Sequence, residues 1–233
     1  MDRIPEPEVM NGEEQARAYA SADYSDPHNT FVALFRERFG EVAGAAVDLG
    51  CGPADVTLRF ARSYPECTVD GLDASPAMLR LGLAAVKRAG LIGRVNLYRL
   101  YLPLERAPLI KYPVVISNSL LHHLPDADAT WKTVRQVAAP GAAVFVRDLR
   151  RPRDEHEWEH LVSTYGFDCP TVLQHDFRAS LRAAYTPKEI RKQLEESAST
   201  NTSTGQASPT VAKRSYPPTW LFLGKPDPPS CLR

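Results

Sequence analysis

The chain has 233 residues, 43% hydrophobic and 24% charged, an ordinary globular composition long enough for one large domain or two small ones. Lys+Arg and Asp+Glu both number 28, which excludes a global field toward nucleic acid or anionic membrane and leaves only a local basic patch at Arg147, Arg150, Arg151 and Arg153. No apolar run approaches the ~18 residues of a membrane span, the first forty residues lack a signal-peptide core, and Cys51, Cys67, Cys169 and Cys231 are too scattered for a zinc ribbon or a disulfide framework, which suits the cytoplasm.

In chain order, residues 12–39 predict two helices with a break at Ser25-Asp26-Pro27. From Ala43 strands and helices alternate. "GAAVDLG" (44–50) reads as a strand, 54–64 as a helix and "CTVDGLD" (67–73) as a second strand. Residues 75–90 form a helix with Ser75 as N-cap, Pro76 in the first turn and Gly90 at its end. Strands follow at 94–100 and 112–119. A helix at 127–138 is stopped by Pro140-Gly141, and a fifth strand spans 142–149. Helices at 153–165, 171–184 and 187–196, a Ser/Thr-rich loop (197–210) and a last strand (219–224) complete the chain. This alternation predicts right-handed crossovers and a doubly wound parallel sheet.

Ligands of such sheets sit at the carboxyl ends of the strands. The first end reads Val47-Asp48-Leu49-Gly50-Cys51-Gly52-Pro53-Ala54-Asp55, with two glycines for a tight turn and close ligand approach. A dinucleotide fingerprint needs a third glycine where Asp55 stands, and a carboxylate there repels a pyrophosphate. The positive sulfonium of S-adenosylmethionine suits Asp48 and Asp55 better. At the end of the second strand, Asp73 is placed to accept the protons of both ribose hydroxyls, since Ser75 already caps the following helix.

"VDLGCGPADVTLRFA", "VDGLDASPAML", "YPVVISNSLLHHLPD" and "APGAAVFVRDLRRP" resemble the successive motifs of class I S-adenosylmethionine-dependent methyltransferases. "RIPEPEVM", "EQARAYASADYSDPH" and "DFRASLRAAYTPKEIRKQL" resemble a bacterial subgroup of small methyltransferases of the ubiquinone/menaquinone-methylase type, so the resemblance covers roughly residues 3–195. It implies a Rossmann-like, mostly parallel seven-stranded sheet with S-adenosylmethionine as cofactor. Asp48, Gly50 and Gly52 would lie around the methionine moiety, with Cys51 and Asp55 in the same loop. Asp73 would hold the ribose, Ala74 and Met78 would flank the adenine, and Tyr101 and Leu102 would face its edge. Asn118 and Ser119 would line the cofactor, and Tyr19 and Tyr24 would close the site. Three departures stand out: Ala54 replaces a glycine, "LYRLYLP" lacks the acidic residue many relatives carry after the third strand, and the tail after Glu196 fits poorly.

The string His156-Glu157-Trp158-Glu159-His160 satisfies the zinc-peptidase pattern H-E-x-x-H. On a helix at ~100° per residue, Trp158, Leu161, Val162 and Tyr165 share an apolar stripe, which turns both histidines to water. The extended pattern also fails at Ser163 and Gly166, so no metal is expected. His122 and His123 follow the fourth strand, and His123 is the candidate general base for a hydroxyl acceptor. His175, Asp176 and Tyr185 are further acceptor candidates. The expected organisation is a helical cap (1–40), a cofactor-binding core (41–150), an acceptor-covering helical segment (151–196) and a tail (197–233) within one domain. The expected function is methyl transfer to a small-molecule acceptor, without nucleic acid or membrane. The alternative is a silent S-adenosylmethionine-binding scaffold of the same fold.

Overall fold

A computed structural model describes residues 1–6, 10–165, 170–199 and 221–224. Two helices, α1 (Glu13–Ser21) and α2 (Ser25–Phe39), precede the alternating region. There follow β1 (Gly44–Leu49), α3 (Asp55–Ser63), β2 (Cys67–Asp73), α4 (Pro76–Arg88), β3 (Val95–Arg99) and β4 (Tyr112–Asn118). A 3-10 turn (Leu121–His123) leads to α5 (Asp128–Val137), β5 (Ala138–Leu149), α6 (Glu155–Tyr165), α7 (Thr171–Ala183), α8 (Pro187–Ser199) and β6 (Leu221–Gly224).

The six strands lie in the order β3-β2-β1-β4-β5-β6, and every pairing is parallel. The chain therefore reverses direction of build between β1 and β4, where a doubly wound sheet opens its ligand crevice. The expected doubly wound sheet is present, with six strands rather than seven among the described residues. Parallel strands are covered on both faces, which explains their near-continuous apolar runs. On one face Phe31 and Phe35 of α2 and Phe60 and Tyr64 at α3 pack on Val69, Ile116 and Phe145. On the other, Val137 of α5 joins Val47, Leu49, Leu72 and Val115, and Trp131 and Ile190 pack with Val146.

Three local expectations change. The break between the first helices falls at residues 22–24, and Pro27 lies inside the first turn of α2. Amides there have no intrahelical acceptor, so proline removes no bond. Because Phe31 and Phe35 are fully buried against the sheet, α2 is part of the core rather than of a cap; α1 packs on α4 and α7 instead. Pro140-Gly141 does not separate α5 from the fifth strand. The strand starts at Ala138, and the pair sits exposed in an irregularity between the Tyr112–Ala138 and Val114–Ala143 pairings. The 197–210 loop falls largely outside the described residues, and α8 runs on to Ser199. Among the described residues no helix is long and apolar enough to cross a membrane.

Candidate functional site

The loop after β1 is held in place by β2. The amides of Gly50 and Cys51 both donate to the Leu72 carbonyl, at 2.8 and 3.0 Å. Gly50 has φ +73°, and a Cβ on it would lie 2.6 Å from Leu120 Cδ1, so the turn tolerates no side chain. Gly52 has φ +52° and nothing within 4 Å of where a Cβ would stand, so bare backbone faces open space. Ala54 takes the left-handed position that starts α3, φ +67°, a conformation that favours glycine.

Two carboxylates flank this loop. Asp73 accepts the Gly52 amide at Oδ2 and the Ser75 amide at Oδ1, both at 2.8 Å, so one side chain ties the loop to the start of α4. Ser75 caps α4 as expected, accepting the Met78 amide at 3.2 Å. Burial raises the Asp73 pKa against these amide donors. Asp48 is buried, and Thr57 donates to its Oδ2 at 2.6 Å. Desolvation pushes its pKa up to about 7, with the field of Asp73 adding to the shift and Thr57 opposing it. A buried carboxylate raised this far is poised to ionise when a cation arrives.

Above the loop, Tyr19, Tyr24 and His28 stack in sequence, with ring centroids 4.8 and 5.4 Å apart. Burial, reinforced by Asp55, Asp73 and Asp148, lifts the Tyr19 pKa to about 12, and burial lifts Tyr24 as well. Asp55 behaves differently from expectation. Its Oδ2 is 2.6 Å from His28 Nδ1 and accepts Arg59 Nε at 2.9 Å. These partners overcome its desolvation and lower its pKa, so its charge is spent on holding α2 to α3 rather than free for a sulfonium.

The far wall follows β4. The Ser119 amide donates to the Arg147 carbonyl at 2.8 Å, and Asn118 Nδ2 donates to Ser119 Oγ at 3.3 Å. His122 Nδ1 lies 2.5 Å from Asp148 Oδ1, and Asp148 Oδ2 accepts the Leu121 amide at 2.6 Å. Burial works against the imidazolium, yet Asp148 outweighs it and the His122 pKa is raised. His123 packs on His122 with centroids 4.1 Å apart, and its Nδ1 is 2.6 Å from Glu6 Oε2.

These groups enclose one cavity of about 710 Å³. All the cofactor contacts named from the sequence line it: Tyr19, Tyr24, Asp48, Gly50, Cys51, Gly52, Asp55, Asp73, Ala74, Met78, Tyr101, Leu102, Asn118 and Ser119, and so does His123. Tyr101 is a rim residue, 56% exposed, its hydroxyl accepting from Arg99 Nη2 at 3.0 Å. His175 and Asp176 also line the cavity, whereas Tyr185 lies outside its lining, buried in the core, with its hydroxyl accepting the Ala127 amide at 3.1 Å and donating toward the Leu124 and Pro125 carbonyls at 3.3 Å. Glu6, His28, Arg147 and Asp148 are wall residues that lie inside the quoted segments but were not named there as site residues; the topology brings them in.

His156 and His160 are exposed on α6, while Trp158, Leu161, Val162 and Tyr165 pack together beneath, as the helical stripe requires. The backbone amide of Arg153, then the guanidinium groups of Arg150 and Arg153, draw the Glu157 pKa down to about 2. The suspected basic patch is likewise neutralised: Arg150 and Arg153 pair with Glu157 and Arg151 with Glu189, while Arg147 is buried.

Residues 47–144 match the family described as "Methyltransferase domain". The trans-aconitate 2-methyltransferase of Methylobacterium radiotolerans is 36% identical over 107 residues, 46% of this chain and 38% of that protein. The Mycobacterium tuberculosis H37Ra enzyme of the same name is 33% identical over 108 residues, again 46% and 38%. The match thus spans well under half the length of these curated relatives. In fold, the chain is similar to the plantazolicin methyltransferase BpumL crystallised with a desmethyl substrate analogue and S-adenosylhomocysteine (TM-score 0.61, 13% identity, 80% of this chain and 69% of that one). A Methanococcus maripaludis protein gives a TM-score of 0.61 at 14% identity, covering 88% and 90%. Residues 47–144 are thus similar to a methyltransferase domain, and the chain shares the fold of these solved structures.

Proposed function

We propose that this cavity binds S-adenosylmethionine and that the protein transfers its methyl group to a small-molecule acceptor. The observation that carries the reading is the join of Asp73 to the glycine loop. Each Asp73 oxygen accepts one amide and keeps lone pairs for a ribose hydroxyl, beside the bare backbone of Gly52. The donor set fits this cofactor and not a phosphate-bearing one. Asp48 and Asp73 supply negative charge, and among the described residues Arg147 is the one Lys or Arg on the wall, its Nη1 already donating to the Pro27 carbonyl at 2.8 Å.

Bound there, the cofactor supplies a methyl on a positive sulfonium, an excellent leaving group for in-line attack. The chain then has to bind, orient and exclude water. Asp73 and the loop fix the nucleoside, Asp48 meets positive charge, and Tyr19 and Tyr24 cover the site from α1 and the start of α2. His123 stands at the β4 side of the cavity and is the candidate to take the proton of a hydroxyl acceptor. The relatives named above act on trans-aconitate, a tricarboxylate. The acidic wall of this cavity favours a neutral or hydroxyl-bearing acceptor over such a trianion.

The test is calorimetric titration of wild type and Asp73→Ala with S-adenosylmethionine and S-adenosylhomocysteine. Micromolar binding, weakened in the variant by about 1.5–3 kcal/mol for the lost charge-assisted hydrogen bonds, is the expected outcome. Absence of binding by either ligand would overturn the reading. An acceptor panel that includes trans-aconitate then reads turnover.

A further inference from the structure

Three metal-ligating side chains meet on the cavity wall away from the glycine loop: Glu6 from the N-terminal segment, and His122 and His123 from the turn after β4. One ligand atom from each lies within 4.8 Å of the others. Ligands about 2.0–2.2 Å from a common ion stand roughly 3–4 Å apart, so an ion here has to draw the three groups somewhat closer together.

Two independent features mark these groups as more than a surface ion pair. First, His123 Nδ1 and Glu6 Oε2 are 2.6 Å apart, an ion-pair contact, while Glu6 Oε1 is a buried atom with no hydrogen-bond partner among the described residues. Buried polar atoms are ordinarily satisfied, so the second Glu6 oxygen has capacity left for a ligand. Second, His122 is oriented as metal-bound histidines are. Its Nδ1 is held by Asp148, itself fixed by the Leu121 amide, which leaves Nε2 for a ligand.

We propose that Glu6, His122 and His123 bind one divalent first-row transition ion. Two imidazoles and one carboxylate suit zinc, iron(II), cobalt or manganese rather than calcium or magnesium, which take oxygen ligands. Three protein ligands leave coordination positions open toward the cavity. There the ion would hold an acceptor oxygen and lower the pKa of its hydroxyl, supplying the cation that Arg147 cannot. That role rests on the methyl-transfer reading; the binding of the ion does not, and it is tested without cofactor or acceptor.

The experiment is zinc titration of the untagged, chelator-treated full chain by calorimetry. The background carries His156→Ala and His160→Ala, which removes the exposed pair one helical turn apart on α6. One saturable equivalent is expected, weakened at least tenfold by Glu6→Gln and by His123→Ala in variants whose thermal melts match the background. X-ray absorption of the zinc-loaded background should show two imidazole nitrogens and carboxylate oxygen at about 2.0–2.2 Å. This second reading needs no ligand variant to fold. No saturable binding, binding indifferent to both substitutions, or a zinc shell without two imidazoles would overturn the proposal. Zinc binding by a chain that ignores S-adenosylmethionine would sink the methyl-transfer reading and leave the metal site standing.

Discussion

Asp48 is a residue whose chemistry departs far from its ordinary behaviour, and it gives a pH signature. Burial, helped by Asp73, raises its pKa from 3.8 to about 7. Between those values the folded chain keeps a proton that the unfolded chain has released, so stability falls as pH rises from about 4 to 7. The slope from this one group is at most ~1.4 kcal/mol per pH unit. Urea titrations across that range should show the fall in wild type and a flatter profile in Asp48→Asn. On the proposed reading cofactor binding should respond oppositely: ionised Asp48 would meet the sulfonium, so affinity for S-adenosylmethionine relative to S-adenosylhomocysteine should rise through pH 7, and Asp48→Asn should remove the rise. Parallel calorimetry at several pH values checks it. Asp48 and Asp73 were legible in the sequence because they end apolar strands beside glycines. Asp55 was legible as a wall residue but not as a spent charge, because His28 reaches it from a different helix. The H-E-x-x-H string shows the same limit in reverse. Five letters suggest a ligand set, and the apolar stripe beneath them is what turns both imidazoles outward.

At the scale of the element, α4 carries a glycine against ordinary helix economy. Gly82 lies mid-helix, where alanine is normally worth about 1 kcal/mol in its favour. Here a Cβ would stand 2.8 Å from Leu97 Cδ1 and 3.3 Å from the Pro53 carbonyl carbon. Gly82→Ala should therefore destabilise the protein by about 1–2 kcal/mol, since the contact includes backbone that cannot turn aside. It should also loosen the cofactor, because Pro53 belongs to the glycine loop; urea denaturation and titration with S-adenosylhomocysteine together check this. Helix α4 itself was read almost to the residue, since Ser75, Pro76 and Gly90 are local signals. Strand β5 was not, because the pairing of Ala138 with Tyr112 is a property of the neighbouring strand rather than of the Pro-Gly dipeptide. The place of α2 against Phe60 and Phe145 was hidden for the same reason: aromatic spacing tells that a face is buried, not what covers it.

At the scale of the molecule, the N-terminal segment fastens parts that are far apart in sequence. Arg3 donates to the carbonyls of Ala183 at 2.6 Å, Leu124 at 2.7 Å and Pro125 at 3.0 Å, and its guanidinium lies 3.9 Å over the Tyr185 ring. The Ile4 amide donates to the Arg182 carbonyl at 3.1 Å. Arg3→Ala should cost about 1.5–3 kcal/mol and selectively raise hydrogen exchange at residues 121–125 and in the last turn of α7. Uniform exchange throughout would argue against such a clasp. The doubly wound core was foreseeable from strand-helix alternation alone, whereas this strap was not, because each of its bonds ends on a carbonyl and any sequence supplies carbonyls. Its consequence lies in synthesis. The first six residues leave the ribosome early, yet their seats are at 121–125 and 182–183, so they must wait about 10–35 s at 5–20 residues per second before they can dock. Glu6, and with it one wall of the cavity, is thus among the last parts to take its place, and a chain interrupted before Ala183 could complete much of its sheet and still lack a closed site.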